Sequence, residues 1–424
     1  MNVQATTYRN YLLTSLLVIL VFNYVDRLAL GVVLQDIKVD LDLTDTQLGF
    51  LSGIAFALFY SVMGVPIARW ADRGDRVVII VLCTGLWSVA VLLCGVATSF
   101  VQLLLIRVVV AIGEAGCTPP AFSLIADYFN RAERPRAAAI YGLGGPLATI
   151  VGFFLAGWLN ELYGWRVTFM ALGAPGLLLA ALAWFTLKEP RRARGAQPLE
   201  QRSEPALKEV CVTLWSNVTF RHLLLCLAVM FFFIYGILQW LPTVMIRSFQ
   251  LTGSSLGTSL ALTFGVAGVL GAYMGGELAT RYAANNERLQ LRALGLSICC
   301  AGLFSFVAYA SSHAYVVLGL TGLAMLALNT VNGPLFATIQ TLVPERMRAV
   351  AFSLVYLVAN LVGMGLGPLA AGILSDAMQP WAGDESLRYA LLVLSPGYLW
   401  AAWHAWQASR TVARDLEERK LAPA

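Results

Sequence analysis

The sequence predicts an all-α membrane protein, with twelve transmembrane helices in two pseudo-symmetric halves of six. Three observations carry that reading. The chain of 424 residues is 58% hydrophobic and only 12% charged, against roughly 45–50% and about 25% for a soluble domain. Its apolar runs are long enough to cross the hydrocarbon as helices, which takes about 20 residues each. Polar signatures also recur half a chain apart. Open sheets would leave unpaired backbone groups in lipid, and the runs are far longer than barrel strands.

The first six runs fall at roughly 11–34, 47–68, 77–97, 101–125, 137–160 and 166–187. The second six fall at roughly 222–246, 255–280, 291–311, 315–341, 348–375 and 387–408. The first run holds Asp26 and Arg27 and lacks a small-residue cleavage site, so it reads as a retained helix and not a secretion signal. Between the sixes lies a polar break with Lys188, Arg191, Arg192, Arg194, Arg202, Lys208 and Arg221 and few aromatics, expected to be a solvated cytoplasmic linker. The expected organisation is therefore an N-terminal half at 1–187, a linker at 188–221, a C-terminal half at 222–408 and a cytoplasmic tail at 409–424.

Orientation follows from the basic residues. Of the 29 Lys and Arg, only Lys38, Arg166, Arg247 and Arg388 fall on the alternate loops, while Arg27 and Arg107 lie within apolar runs. The rest mark one side as cytoplasmic, which places both termini inside. The expectation is a multi-pass protein of a bacterial inner membrane, working as a monomer.

The repeat supports the two halves. Glu133-Arg134-Pro135-Arg136-Ala137-Ala138-Ala139 leads the fifth span, and Glu345-Arg346-Met347-Arg348-Ala349-Val350-Ala351 leads the eleventh. Ala174-Pro175-Gly176 in the sixth answers Ser395-Pro396-Gly397 in the twelfth. Two similarly oriented six-helix halves are a transporter architecture.

Other functions are set aside on composition and spacing. The net charge of +5 is spread over short loops, which argues against nucleic-acid binding. The cysteines lie mostly inside apolar runs and imply no disulfide framework. No lysine sits in a phosphate loop, so this chain does not hydrolyse ATP. His222, His313 and His404 are far apart in sequence and read as isolated, with no metal-ligand or nucleophile–base spacing. No enzyme activity, metal or cofactor is expected.

Ionised groups within the bilayer are costly and mark function. Asp26 and Arg27 sit inside the first span and Arg107 and Glu114 inside the fourth. Arg107 and Glu114 share one helix face but lie about 10 Å apart along the axis, so direct pairing needs a bridge, which the first span can supply. Two acids and two bases form a neutral network, and protonating one carboxylate frees an arginine for an anionic headgroup. That is the minimum coupling for a proton-for-substrate exchange. The alternative is a fixed salt-bridge cluster holding the two spans together.

The loop after the second span reads Gly64-Val65-Pro66-Ile67-Ala68-Arg69-Trp70-Ala71-Asp72-Arg73-Gly74-Asp75-Arg76. It resembles the signature of the major facilitator superfamily, with Ala68 in place of the usual glycine and Asp75 where another glycine is expected. An acid here can sit against a helix N-terminus of the other half and latch an inner gate, which makes Asp72, Arg73, Arg76 and Arg136 gate candidates. An ordinary charged turn is the alternative. After the eighth span, Gly276-Glu277-Leu278-Ala279-Thr280-Arg281 keeps the arginine but has Thr for Asp.

Arg107-x6-Glu114 resembles the superfamily's fourth-helix signature, and Gly144-Gly145-Pro146 resembles part of the fifth-helix pattern of antiporters. Asn23-Tyr24-x-Asp26-Arg27, Arg107 to Glu114-Ala115, and Gly164-Trp165-Arg166 are similar to the Spinster family. By that resemblance Asp26 and Glu114 are protonation sites, with Arg27 and Arg107 their partners and Asn23 beside them. Spinster-like transporters of animals export lysophospholipids or phosphorylated sphingoid bases.

The C-terminal half offers uncharged polar residues. Tyr235, Gln239 and Trp240 in the seventh span, Asn329 and Asn332 in the tenth, and Tyr356 and Asn360 in the eleventh are candidates to line a cavity. Hydrogen bonding between helices is an equal alternative for each. Glycines of the eighth span (Gly265, Gly268, Gly271, Gly275, Gly276) and the eleventh (Gly363, Gly365, Gly367) read as close-packing positions.

The expectation is thus a proton-coupled secondary transporter working by alternating access on an anionic amphiphile such as a lysophospholipid or sphingoid phosphate. A proton-coupled carrier of small organic acids or drugs, or an uncoupled facilitator or scramblase, is the alternative. Its partners are the substrate, protons and the bilayer.

Overall fold

The structure is a computed structural model that describes residues 3–131, 133–194, 207–283, 286–344 and 347–421. Among the described residues every regular element is a helix. Ten helical stretches are long and apolar enough to cross a membrane. Two of them, Arg136–Arg192 with 57 residues and Val350–Glu418 with 69, are about three or more times the roughly 20 residues of one span and can cross twice. The count of crossings then reaches the expected twelve.

The chain clusters into two compact units, one of Met1–Leu199 with Leu251–Ala261, the other of Glu200–Gln250 with Leu262–Ala424. The first begins with α1 (Val3–Leu41), α2 (Asp45–Ser52), α3 (Ile54–Arg73) and α4 (Arg76–Cys94). It continues with α5 (Phe100–Ala115), α6 (Thr118–Tyr128), α7 (Arg134–Gly142), α8 (Gly144–Thr186) and α9 (Pro190–Arg194). Local chemistry sets their starts. Thr44 and Gln47 form a capping box before α2, and Asp75 and Ser99 accept from the Val78 and Gln102 amides to cap α4 and α5. Helix α8 breaks at Gly164, whose φ of 74° suits a residue without a Cβ.

In this unit α1 lies along α8, α4 packs between α5 and α8, and α3 packs on α5. Gly113 permits the α4–α5 approach, since a Cβ there would stand 2.7 Å from the Trp87 amide nitrogen. The break at Gly164 brings Trp165 and Arg166 onto the end of α1. The Trp165 indole donates to Asp40 over 3.2 Å and Arg166 pairs with the same carboxylate at 2.6 Å.

The second unit contains α10 (Leu207–Ser216), α11 (Val218–Phe249), α13 (Ala267–Ala283), α14 (Glu287–Ala310) and α15 (Ala314–Leu342). It ends with α16 (Arg348–Ala359), α17 (Gly367–Ala382), α18 (Ser386–Leu394) and α19 (Tyr398–Leu421). Helix α12 (Gly253–Leu260) belongs to the first unit and packs on α8. Helix α11 packs on α17 and α19, α14 on α15 and α19, and α13 on α15. Gly271 and Gly275 approach the backbone of α15, and Gly363 and Gly367 that of α11. Gly276 differs from the expectation, because open space surrounds it and no packing contact explains a glycine there.

Glu345 and Arg346 of the repeat, and Arg202 of the expected linker, lie outside the described residues. The start of that linker departs from the solvated reading, since Glu189 is buried and Arg191 and Arg192 bind the turn before α4.

Candidate transport site

Asp26 and Arg27 fall near the middle of α1, and Arg107 and Glu114 two turns apart on α5. Both helices are set by apolar sequence, so the four charges are carried into the interior by their neighbours. Asn23, Asp26, Arg107 and Glu114 are all buried, and the Arg27 side chain is only 15% exposed. The pairing is crossed between helices. Arg107 Nη1 donates to Asp26 Oδ2 over 2.8 Å, and Arg27 Nε donates to Glu114 Oε2. Consecutive residues of α1 thus reach two residues of α5 that are too far apart to meet each other.

The cluster is neutral as a whole, which lowers its cost in low dielectric. Its hydrogen bonding is incomplete. Asn23 Nδ2, Asp26 Oδ1, Arg27 Nη2, Arg107 Nε and Glu114 Oε1 are buried without a partner among the described residues. Such atoms cost free energy, and here several of them lie in one place.

Aromatic rings complete the surroundings, and the sequence reading missed them. Phe56 and Tyr60 of α3 stack with centroids 5.8 Å apart and planes 18° from parallel. The Arg27 guanidinium carbon lies over Tyr24, Phe56 and Tyr60 at 4.7, 4.7 and 4.5 Å from their centroids. Arg107 lies over Phe56 at 5.2 Å. The available signal was two aromatics four apart on one helix face, which is ordinary in any apolar span.

The gate candidates divide. Asp72 and Arg73, at the end of α3, and Arg136, in α7, are exposed. Arg76 is instead fully buried at the start of α4. It pairs with Asp127 at 2.7 Å and with Glu189, and Nη1 donates to Ser123 O at 3.1 Å and Ser123 Oγ at 2.9 Å. Nε and the backbone amide also donate to Glu189 Oε2, at 3.1 and 2.8 Å. A side chain so committed within its own unit is a clamp between helices, a role that its reading as a gate residue did not include. Arg191 Nη1 donates to the Ala71 and Asp72 carbonyls at 2.8 and 2.9 Å, closing the same turn from outside.

In the second unit Trp240 is fully buried, with its indole donating to Pro368 O over 2.8 Å. It packs α11 against α17 and, at 0% exposure, presents no surface to a cavity in this structure, in keeping with the apolar surface an indole gains by burial. Tyr235 is half-buried with its ring against Phe231. Gln239 Nε2 and Asn332 Oδ1 are buried and unpartnered among the described residues, whereas Asn329 donates to the Met325 carbonyl of its own helix at 2.8 Å. Tyr356 is exposed and stacks on Phe336 at 5.2 Å, and Asn360 opens a π-helical turn, Asn360–Leu366. The histidines are not all isolated, since His222 Nδ1 and His404 Nδ1 meet at 2.9 Å where α11 packs on α19. No group of three or more His, Cys, Asp or Glu able to hold a metal occurs among the described residues.

Residues 16–368 match the Major Facilitator Superfamily. An MFS-type efflux pump of Mycolicibacterium smegmatis is 33% identical over 407 residues, covering 93% of this chain and 91% of the pump. A probable L-galactonate transporter of Escherichia coli K12 is 25% identical over 408 residues, covering 92% and 88%. The crystal structure of a bacterial homologue of the human lysosomal transporter Spinster, inward-facing and unoccupied, superposes with a TM-score of 0.86 at 30% identity. That match covers 96% of this chain and 98% of the other. The chain belongs to the major facilitator superfamily and is, within it, a Spinster-like membrane transporter.

Proposed function

We propose that this transporter is a proton-coupled secondary carrier working by alternating access on an anionic amphiphile, such as a lysophospholipid or sphingoid phosphate. The observation that carries the reading is the crossed, buried and incompletely satisfied set of Asp26–Arg107 and Arg27–Glu114 pairs. A proton added to Glu114 removes the charge that holds Arg27, and a buried guanidinium then seeks another anion. An anionic headgroup supplies it, so headgroup binding and proton uptake favour each other. Asp26 and Arg107 repeat the same logic one step away, with Asn23 offering a further amide. Similarity to a bacterial Spinster homologue agrees with the Spinster resemblance of the sequence, and it is that resemblance which implies a lipid-like substrate.

A second reading, a proton-coupled carrier of small organic acids or drugs, draws on the similarity to a probable L-galactonate transporter and to an efflux pump. Both readings use the same four charges. In either, Asp72, Arg73 and Arg136 serve an inner gate, while Gln239, Asn332, Tyr356 and Asn360 face the substrate. The asymmetry of basic residues favours cytoplasmic termini in a bacterial inner membrane, and the carrier works as a monomer.

The test uses wild type and Asp26→Asn in vesicles enclosing a pH-sensitive dye, challenged with lysolipids, sphingoid phosphates and small organic acids. Proton movement triggered by one compound and lost in the variant is the expected result, and the compound names the substrate class. Flux without proton movement, equal in both proteins, would make the cluster structural and the protein a facilitator.

A further inference from the structure

Proton coupling through Glu114 raises a physical problem. Once Glu114 is neutral, Arg27 is a nearly enclosed cation without its carboxylate, and the interior penalises such a charge. A guanidinium left this way either drags in water or swings elsewhere, and in both cases loses its aim. The rings around Arg27 answer this. Tyr24, Phe56 and Tyr60 each lie within 4.7 Å of its guanidinium carbon, measured to the ring centroid. Cation–π attraction does not depend on a countercharge and is strongest where the pair is desolvated. It also fits a planar guanidinium better than an ammonium. The rings hold Arg27 through its carbon, while Nε donates to Glu114 and Nη2 is left without a partner among the described residues.

We propose that Tyr24, Phe56 and Tyr60 are a guanidinium cage that keeps Arg27 in place once Glu114 carries no charge, so that they act as positioning residues for the anionic headgroup. This rests on the proton-coupled reading above. The charged and titratable groups facing Glu114 are Arg27 and Asp26 from α1, Arg107 from α5 and the Cys117 thiol beyond it. Arg27 faces Tyr24, Tyr60 and Asp26 besides Glu114. Phe56 has a double role, because Arg107 lies over the same ring, so the two ion pairs share one aromatic wall.

The test needs no substrate. Melting temperatures are measured in a neutral detergent for wild type, Tyr60→Leu, Glu114→Gln and the double variant, in acid and in alkaline buffer. A cage predicts coupling. Tyr60→Leu should cost about 1–4 °C more in the Glu114→Gln background than in wild type. Tyr60→Phe, which keeps the ring, should match its parent in both backgrounds. Additive losses, or a Tyr60→Phe loss equal to that of Tyr60→Leu, would overturn the cage. Tyr24→Leu runs the same cycle if Tyr60→Leu does not fold. The buffers separate the cage from the reading beneath it. If protons reach Glu114, Tyr60→Leu alone costs more in acid than in alkali. A coupled cycle whose single-variant cost ignores pH keeps the cage and sinks proton uptake at Glu114.

Discussion

The first unit holds two buried ionic clusters that a list of salt bridges would treat alike. Around Arg76, both carboxylate oxygens of Glu189, the Asp127 carboxylate and the Ser123 carbonyl and hydroxyl together use all three guanidinium nitrogens. Around Arg27 and Arg107, each arginine keeps one carboxylate, and both acids, both arginines and Asn23 retain a buried atom without a partner among the described residues. The first arrangement leaves no guanidinium nitrogen without a partner, and the second leaves one on each arginine among the described residues, as the proposed proton and anion site requires. Saturation separates a clamp from a switch more sharply than burial or charge does, because a buried charge that loses one of several partners is still paired, whereas one that loses its single partner is not.

The comparison can be broken from either side. The largest effect should come from Glu189→Ala, which strips a fully buried Arg76 of half of the hydrogen bonds it donates and should destabilise the protein by about 3–5 kcal/mol in detergent melts. A loss under about 1 kcal/mol would show that Arg76 is not a clamp. Glu114→Gln should leave the fold intact while flattening the pH dependence of transport. If Glu114 takes the proton that lets the anion bind, apparent affinity falls as pH rises in wild type and stays level in the variant. A variant with the wild-type pH profile would place the proton elsewhere. Trp240→Phe removes one buried hydrogen bond to Pro368 and should cost about 1 kcal/mol without altering substrate affinity. An affinity change there would return Trp240 to the cavity wall. Asp127→Asn should cost least, below about 1 kcal/mol, since its carboxylate is partly exposed and Glu189 still holds Arg76.

Much of this was legible in the sequence, for particular physical reasons. Span length follows from the width of the bilayer, so the helices were countable, and only the tight junctions at Gly164 and Gly383, with no loop between the helices they join, run some of them together. Asp26, Arg27, Arg107 and Glu114 stood out because ionised residues within apolar runs are rare. Their crossed pairing was legible only as a need for a bridge, because which acid meets which base depends on the rotation of α1 against α5. Glu189 was hidden by its neighbours, since Lys188, Arg191 and Arg192 make the segment look solvated. Phe56 and Tyr60 were hidden by their setting, as an aromatic ring in an apolar span carries no signal until a guanidinium is placed beside it. His222 and His404 are joined only by helix packing, which sequence distance conceals.

The central claim is that the incompletely paired cluster couples a proton to the anion. It is tested most directly by concentrative uptake, with wild type and Glu114→Gln in vesicles under an imposed pH gradient and the anion identified by the proton-flux screen. The account predicts that wild type drives the anion beyond equilibrium while Glu114→Gln only equilibrates it. Equal accumulation by both proteins would contradict the account and make Arg27–Glu114 a second clamp.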